Sequence, residues 1–504
     1  MWKPEGKDRV KNYLIFDFGA SNGRASVAAF NGTEFTFETI HRFDNIPVFA
    51  AGTLYWDILR LFSELKTGIL LASKKYRDIR SIGLDTWGVD FGFLDKNGKL
   101  ISNPVHYRDA GRNSVTEEVF EIIPRKDVFK FSGVALHSYY SIFNMHYLKK
   151  NSAVEYLNAS KFLMIPDIFN YFLTGIAVNE FTDSHTTALC NPYTKLWDSG
   201  IIEKLGFSKE IFGRIVQSGT AVGPLQKSVS EELEIKSIPV IAPATHDTPS
   251  AILGVPFVEK NVTPAFISIG TWGITVYEMD SPLINDEVYN SGYANEAGAE
   301  GKMLLFKNFV GMWLIQQCRN KWIKDKGSEI SFDDIMNSAR NAQPVDSFID
   351  LDSSDFIVNQ NDLPKVISSF CSRTGQKVPE GIDQTARIIY QTLALKIKDD
   401  LEILAGLIGR KIDYLHIVGG GTKDELFCQW VTDAAGIPAF AGPTETSSVG
   451  NLLMQLKADG EIKGIEDGRQ LSFNSFEVKR YKPQNPDHWD RQYAKFKSVM
   501  RSLQ

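Results

Sequence analysis

Two glycine-rich turns, each set between apolar β-rich runs, constrain this chain more than any other feature. The first lies in YLIFDFGASNGRASVAAF, from Tyr13 to Phe30, and the second in PAFISIGTWGITVYEM, from Pro264 to Met279. A strand that enters such a turn and leaves as another strand makes a tight hairpin, because glycine supplies the backbone freedom for the reversal. The recurrence of one form in both halves implies a duplicated architecture. At 504 residues the chain also exceeds what one ordinary core holds, so two or three domains with a cleft between them are expected.

The first hairpin continues past the turn dipeptide Asn31-Gly32 into EFTFETIHRF, which completes an antiparallel meander. Apolar residues at Leu61, Leu65, Ile69 and Ala72 predict a helix over 58–75, and a strand is expected over 79–85. In the second half a helix over 383–407 precedes a strand over 414–418, the glycines Gly419 to Gly421 and a helix over 425–435. A strand over 438–440 and a helix over 447–457 follow. This alternation is that of an α/β protein. Pro239, Pro243, Pro249, Gly254 and Pro256 cluster near 244–255, which gives expected domains of 1–245 and 246–504.

Composition narrows the partners. A net charge of −6 offers no basic face for nucleic acid and no polybasic segment for a membrane, which leaves a small molecule. Cys190, Cys318, Cys371 and Cys428 are scattered without metal-site spacing and read as core thiols. MWKPEGKDRVKN lacks the apolar stretch of a signal peptide, and no apolar run reaches the ~18 residues of a membrane helix, so a cytoplasmic protein is expected.

Five segments carry candidate chemistry. In Asp17-Phe18-Gly19-Ala20-Ser21-Asn22-Gly23-Arg24 the turn can cradle phosphate oxygens with its backbone N–H groups, and Asp17 can hold Mg2+ through water; an ordinary glycine hairpin reads equally well. FISIGTWG, with Thr271, offers a second phosphate turn. In HIVGGGTKDEL the glycines around Gly420 leave flat backbone for an adenine ring or a phosphate near a helix N-terminus, or merely form a tight turn. Ala244-Thr245-His246-Asp247 precedes a helix with Pro249 in its first turn, where Asp247 either takes a proton from a hydroxyl or caps the helix. LDTWGVDF places Asp85, Trp87 and Gly88 where an aromatic face and a carboxylate suit a sugar, or where the indole packs in a core.

In this order, with HRFDN, PVHYRD, LMIPDIFNYFLTG, NEAGAEG, KNFVGMWL and AGPTETSSVGN, the segments resemble the FGGY carbohydrate kinases, and within them the rhamnulokinase branch. The resemblance implies two actin-like ATPase (ribonuclease H-like) domains with an interdomain cleft, the first holding sugar and phosphate and the second nucleotide. It implies ATP-dependent phosphorylation of a 6-deoxy-ketohexose, L-rhamnulose foremost, at O1. The implied roles are Asp247 as proton acceptor, His246, Gly88, Asp85 and Trp87 at the sugar, and Asp17 at Mg2+. Ala20, Ser21, Asn22, Gly23, Arg24, Thr271, Asn295 and Gly420 fall at ATP. A monomer or homodimer is implied.

Departures from that pattern bear on the substrate. Asn22 replaces a usual Ser, Ile269 a small polar residue, and Ala135, Tyr140 and Asn144 stand in a segment, 132–147, expected to border the sugar. L-Fuculose, or another ketose or polyol, is thus the alternative substrate, and a non-catalytic actin-like nucleotide switch is the alternative from another class. Gly19-x-Ser21-x-Gly23 also fits a serine-hydrolase elbow, but an elbow needs a helix after the serine and RASVAAF reads as a strand.

Overall fold

The computed structural model describes residues 10–257, 262–357 and 362–503; Met1 to Arg9, most of the segment read for a leader, lie outside the described residues. The chain forms two compact units. One comprises Met1–Val258, Glu278–Leu305 and Thr446–Phe476, and the other Glu259–Tyr277, Phe306–Glu445 and Glu477–Gln504.

In the first unit the meander forms as Lys11–Phe18, Asn22–Phe30 and Phe35–Asp44, antiparallel throughout. Ile79–Thr86 joins Lys11–Phe18 in parallel, and Pro239–Ala242 joins Ile79–Thr86 in parallel. Lys11–Phe18 reads as an unbroken apolar run because both of its faces are covered. Leu14, Phe16 and Phe18 enter one core with helix Ile58–Lys75 and helix Ile165–Thr174. Tyr13 and Ile15 enter another with helix Thr446–Ala458.

Glycine sets two of the closest approaches in this unit. A Cβ on Gly450 would lie 1.9 Å from the Ser250 carbonyl oxygen, and one on Gly254 would lie 2.3 Å from that of Thr446. Helix Asp247–Leu253 therefore crosses helix Thr446–Ala458 nearly backbone to backbone.

The second unit repeats the strand arrangement. Pro264–Ile269 is antiparallel to Trp272–Met279 and parallel to Tyr414–Val418, which pairs in parallel with Ala439–Ala441. The last of these was expected one residue earlier; Pro438 has no N–H and contributes only a carbonyl, which accepts from Leu415 N. Helix Gly381–Ile408 packs against helix Glu425–Ala435, which is capped by Asp424 accepting from Phe427 N at 2.9 Å. All four cysteines are buried and free, and no helix among the described residues is long and apolar enough to cross a membrane. Ser21 is followed by a strand, which removes the hydrolase elbow.

Candidate active site

Asp247 owes its position to two neighbouring strands. Beyond Pro239–Ala242 the chain stays beside Ile79–Thr86, with Thr86 N donating to the Thr245 carbonyl at 2.8 Å and His246 bridging to Thr86. Helix Asp247–Leu253 then begins, with His246 at the N-cap and no side-chain cap. Asp247 thus does not cap its helix. Among the described residues its side chain takes a hydrogen bond from Thr248 Oγ1 at 3.3 Å, and it keeps 36% of its exposure.

Charge around it is arranged in pairs. His246 Nε2 lies 3.4 Å from Asp247 Oδ1, and its Nδ1 lies 3.0 Å from Glu296 Oε1. Burial alone would disfavour the imidazolium, but Glu296, with Asp247 and Asp183, reverses this and pushes its pKa up to about 10. At neutral pH His246 is therefore a cation. Burial raises the Asp247 carboxyl to about 6; the His246 charge opposes this, while Asp17 and Glu296 add to it.

Gly88 faces the same imidazole. A Cβ there would meet His246 Nε2 at 3.0 Å and Thr186 Cγ2 at 3.1 Å, so the position holds no larger residue without displacement. The next residue, Val89, has φ of 68°, a costly backbone for a β-branched side chain. It is held there by its N–H donating to Thr186 Oγ1 at 2.9 Å and its carbonyl accepting from Ser141 Oγ at 2.6 Å. Trp87 is only 5% exposed, its ring 4.0 Å from that of Trp56 and its Nε1 donating to Asp90 Oδ2 at 3.1 Å. Asp90 also accepts from Trp56 and forms a buried ion pair with Arg112 at 2.7 Å.

Asp17 and Asp85 sit side by side on paired strands. Asp17 Oδ2 accepts from Arg24 at 2.8 Å, Ser447 Oγ at 2.6 Å and Ser448 Oγ at 3.1 Å. Asp85 is fully buried; its Oδ2 accepts from Asn451 at 2.6 Å, while its Oδ1 has no hydrogen-bond partner among the described residues. Burial, reinforced by Asp17 and Asp247, holds the Asp85 carboxyl well above the usual range. Mutually repelling carboxylates, one with an unsatisfied oxygen, fit a hard divalent cation nearby. Among the described residues no group of three such side chains could hold a metal ion.

In the turn between strands Lys11–Phe18 and Asn22–Phe30, Ser21 and Asn22 are exposed at the tip, and Ala20 is partly exposed. Gly19 N donates to the Asn22 carbonyl at 2.8 Å, and Asn45 Nδ2 donates to the Gly19 carbonyl at 2.9 Å. Gly23 packs so tightly on Phe43 that a Cβ would lie 2.3 Å from its ring. Asn295 is in this unit and fully buried, its amide exchanging hydrogen bonds with the Leu283 backbone at 2.8 and 2.9 Å. Tyr140 is buried as well, and its hydroxyl pKa is raised by burial, by Tyr139 and by the charge of Glu296.

Thr271 and Gly420 belong to the second unit and lie on turns that pack on one another. Ile269 fits under them: a Cβ on Gly421 would be 2.5 Å from Ile269 Cγ2, and one on Gly419 would be 2.8 Å from the Ile269 carbonyl oxygen. Thr271 is exposed, and Gly420 is exposed with open space beside it. The structure therefore gathers Asp17, Arg24, Asp85, Gly88, His246 and Asp247 in one unit and the two remaining turns in the other. Asn45, Glu296, Ser447, Ser448 and Asn451 lie in HRFDN, NEAGAEG and AGPTETSSVGN, segments of the resemblance, but the sequence assigned none of these residues an individual role. Nothing in their spacing ties position 17 to position 447.

Comparison with known proteins gives two family matches. Residues 12–254 match the N-terminal domain of the FGGY family of carbohydrate kinases, and residues 265–458 match its C-terminal domain. A rhamnulokinase from Bacteroides thetaiotaomicron is 36% identical over 97% of this chain and 100% of its own length. One from Halalkalibacterium halodurans is 34% identical over 93% and 98%. A solved xyloylose kinase from Brucella ovis, only 16% identical, superposes with a TM-score of 0.80 over 98% of this chain and 99% of that one.

Proposed function

Because this chain belongs to the FGGY family of carbohydrate kinases, we propose that it transfers the γ-phosphoryl group of ATP to O1 of L-rhamnulose, giving the 1-phosphate and ADP. The observation that carries this reading is Asp247: a helix-initiating carboxylate that caps nothing, flanked by an imidazolium and by the Asp17–Asp85 pair. In phosphoryl transfer the transition state is loose, and the protein chiefly positions the reactants and stabilises charge. Asp247 accepts a hydrogen bond from the O1 hydroxyl, orients it in line, and takes its proton late, as the new O–P bond forms. With its carboxyl near 6 it is ionised at neutral pH yet more basic than an ordinary aspartate.

His246 donates to the ketose, with Glu296 fixing its ring. Gly88, whose missing side chain lets the backbone lie against His246 and Thr186, borders the sugar in this reading. Asp17 and Asp85 would hold magnesium through its waters, and the ion, when bound, offsets the charge of the phosphates. Within the first unit the turn Ala20–Arg24 is assigned to phosphate; within the second, Thr271 is assigned to phosphate and Gly420 to the nucleoside. In this assignment residues 1–245, together with His246 and Asp247, bind sugar and phosphate, and the rest of 246–504 chiefly nucleotide. A cytoplasmic enzyme, monomeric or homodimeric, belongs to the same reading.

The test is a coupled ADP-release assay with L-rhamnulose, L-fuculose and glycerol. The highest kcat/KM is expected on L-rhamnulose. A preference for L-fuculose would overturn the substrate, and ATP turnover indifferent to every sugar would overturn the reaction.

A further inference from the structure

Glu180 occupies a place that the chemistry above leaves unused. It lies in the short strand Asn179–Glu180, parallel to Ile215–Val216, and caps the turn of helix Phe181–His185. It is fully buried. A carboxylate taken out of water stays ionised only if donors replace the lost hydration. Four converge on Oε2: Thr182 N at 2.9 Å, Thr182 Oγ1, Thr245 N at 3.1 Å and Thr245 Oγ1 at 2.9 Å.

Two of those donors belong to the residue two places before Asp247. The grip extends one residue further, because His246 N donates to Thr182 Oγ1 at 3.3 Å, and that hydroxyl in turn donates to Glu180. Beyond Ala242 the named strand has ended, so the amides of Thr245 and His246 depend on Glu180 and Thr182 rather than on a neighbouring strand. On the other edge Thr86 N holds the Thr245 carbonyl at 2.8 Å. The segment that delivers His246 and Asp247 is thus fixed on one side by a strand and on the other by a single buried carboxylate.

We propose that Glu180 is a positioning residue for phosphoryl transfer, setting the Thr245–His246 backbone so that the His246 and Asp247 side chains meet the sugar hydroxyl in line. This rests on the kinase reading given above. Misplacement of a reacting group by about 1 Å costs on the order of 100-fold. Glutamine can present one oxygen to the same donors; alanine cannot.

The test uses full-length Glu180→Ala, Glu180→Gln and Thr245→Val with L-rhamnulose and ATP, measuring kcat, both KM values and the thermal midpoint. Glu180→Ala should lose about 30- to 100-fold in kcat while KM for ATP stays within about threefold. Glu180→Gln should recover to within about fivefold of wild type, and Thr245→Val, which removes the hydroxyl but keeps the amide, should lose about five- to tenfold. A Glu180→Ala protein with a lowered midpoint but wild-type kcat would mean a purely structural role and overturn the proposal. If that variant does not fold, Thr245→Val decides, and wild-type kcat in it is equally fatal. A wild-type protein inactive on every ketose would instead overturn the kinase reading on which this rests.

Discussion

The acid limb of the pH–rate profile should belong to Asp247, and His246 should govern where it falls. A proton acceptor with its carboxyl near 6 is about one-eleventh ionised at pH 5 and about nine-tenths ionised at pH 7, so kcat/KM should rise nearly tenfold between them. His246→Gln removes a cation 3.4 Å from Asp247 Oδ1. At that distance the Coulomb energy is about 1.2 kcal/mol in water and about 5 kcal/mol at an effective dielectric constant of about 20. Asp247 keeps 36% of its side-chain exposure, so solvent screening favours the lower figure, about 0.9 of a pKa unit. The limb should therefore move from near 6 to near 7, in the direction opposite to that of removing a carboxylate. The assay is kcat/KM for L-rhamnulose from pH 4.5 to 9 with both substrates below saturation. The position of the limb is read independently of the height of the curve, so a general loss of activity in the variant does not obscure it. A limb that stays in place, or moves to lower pH, would refute the coupling.

Two further outcomes concern stability. His246 binds its proton more tightly folded than unfolded, so its contribution is fully present below pH 6.5 and is lost as the pH rises through about 10. The thermal midpoint should fall over that window, and Glu296→Gln should flatten the fall; an equal slope in the variant would show that the pair contributes nothing. Gly450→Ala forces a Cβ to within 1.9 Å of the Ser250 carbonyl oxygen, where neither helix backbone yields easily, and should cost about 3 kcal/mol or more in urea unfolding. An unchanged midpoint would mean that the two helices separate without penalty.

The parts legible in the sequence were those written in local pattern. Helix Ile58–Lys75 has the expected limits because its apolar spacing and Asp57 cap are both local. Strand Tyr414–Val418 and the start of helix Glu425–Ala435 are likewise fixed by a short apolar run, three glycines and a capping aspartate. His246, Asp247, Asp17 and Gly88 could be named because each sits at a strand end or a glycine turn, where side chains reach a ligand. What could not be read depends on chain return. Ser447, Ser448 and Asn451 come from a helix more than four hundred residues beyond Asp17, and they meet the Asp17–Asp85 pair where Gly83 lets that helix approach the sheet, a Cβ there lying 2.2 Å from Asn451 Oδ1. Glu296 and Glu180 are ordinary acidic residues in sequence, and only burial beside His246 and Thr245 distinguishes them. The indole of Trp87 had two open readings, and its packing on Trp56 depends on Asp90, which accepts from both indole N–H groups and pairs with Arg112.

The measurement closest to the heart of the account is Asp247→Asn, followed for phosphoryl transfer to L-rhamnulose, ATP binding and thermal stability together. Turnover should fall by at least about 100-fold, with ATP affinity retained. The midpoint should hold or rise slightly, by up to about 1 kcal/mol of stability after allowance for solvent screening, because a carboxyl raised to about 6 is an unfavourable charge at neutral pH. An asparagine variant that phosphorylates the sugar at close to the wild-type rate would contradict the role given to this carboxylate.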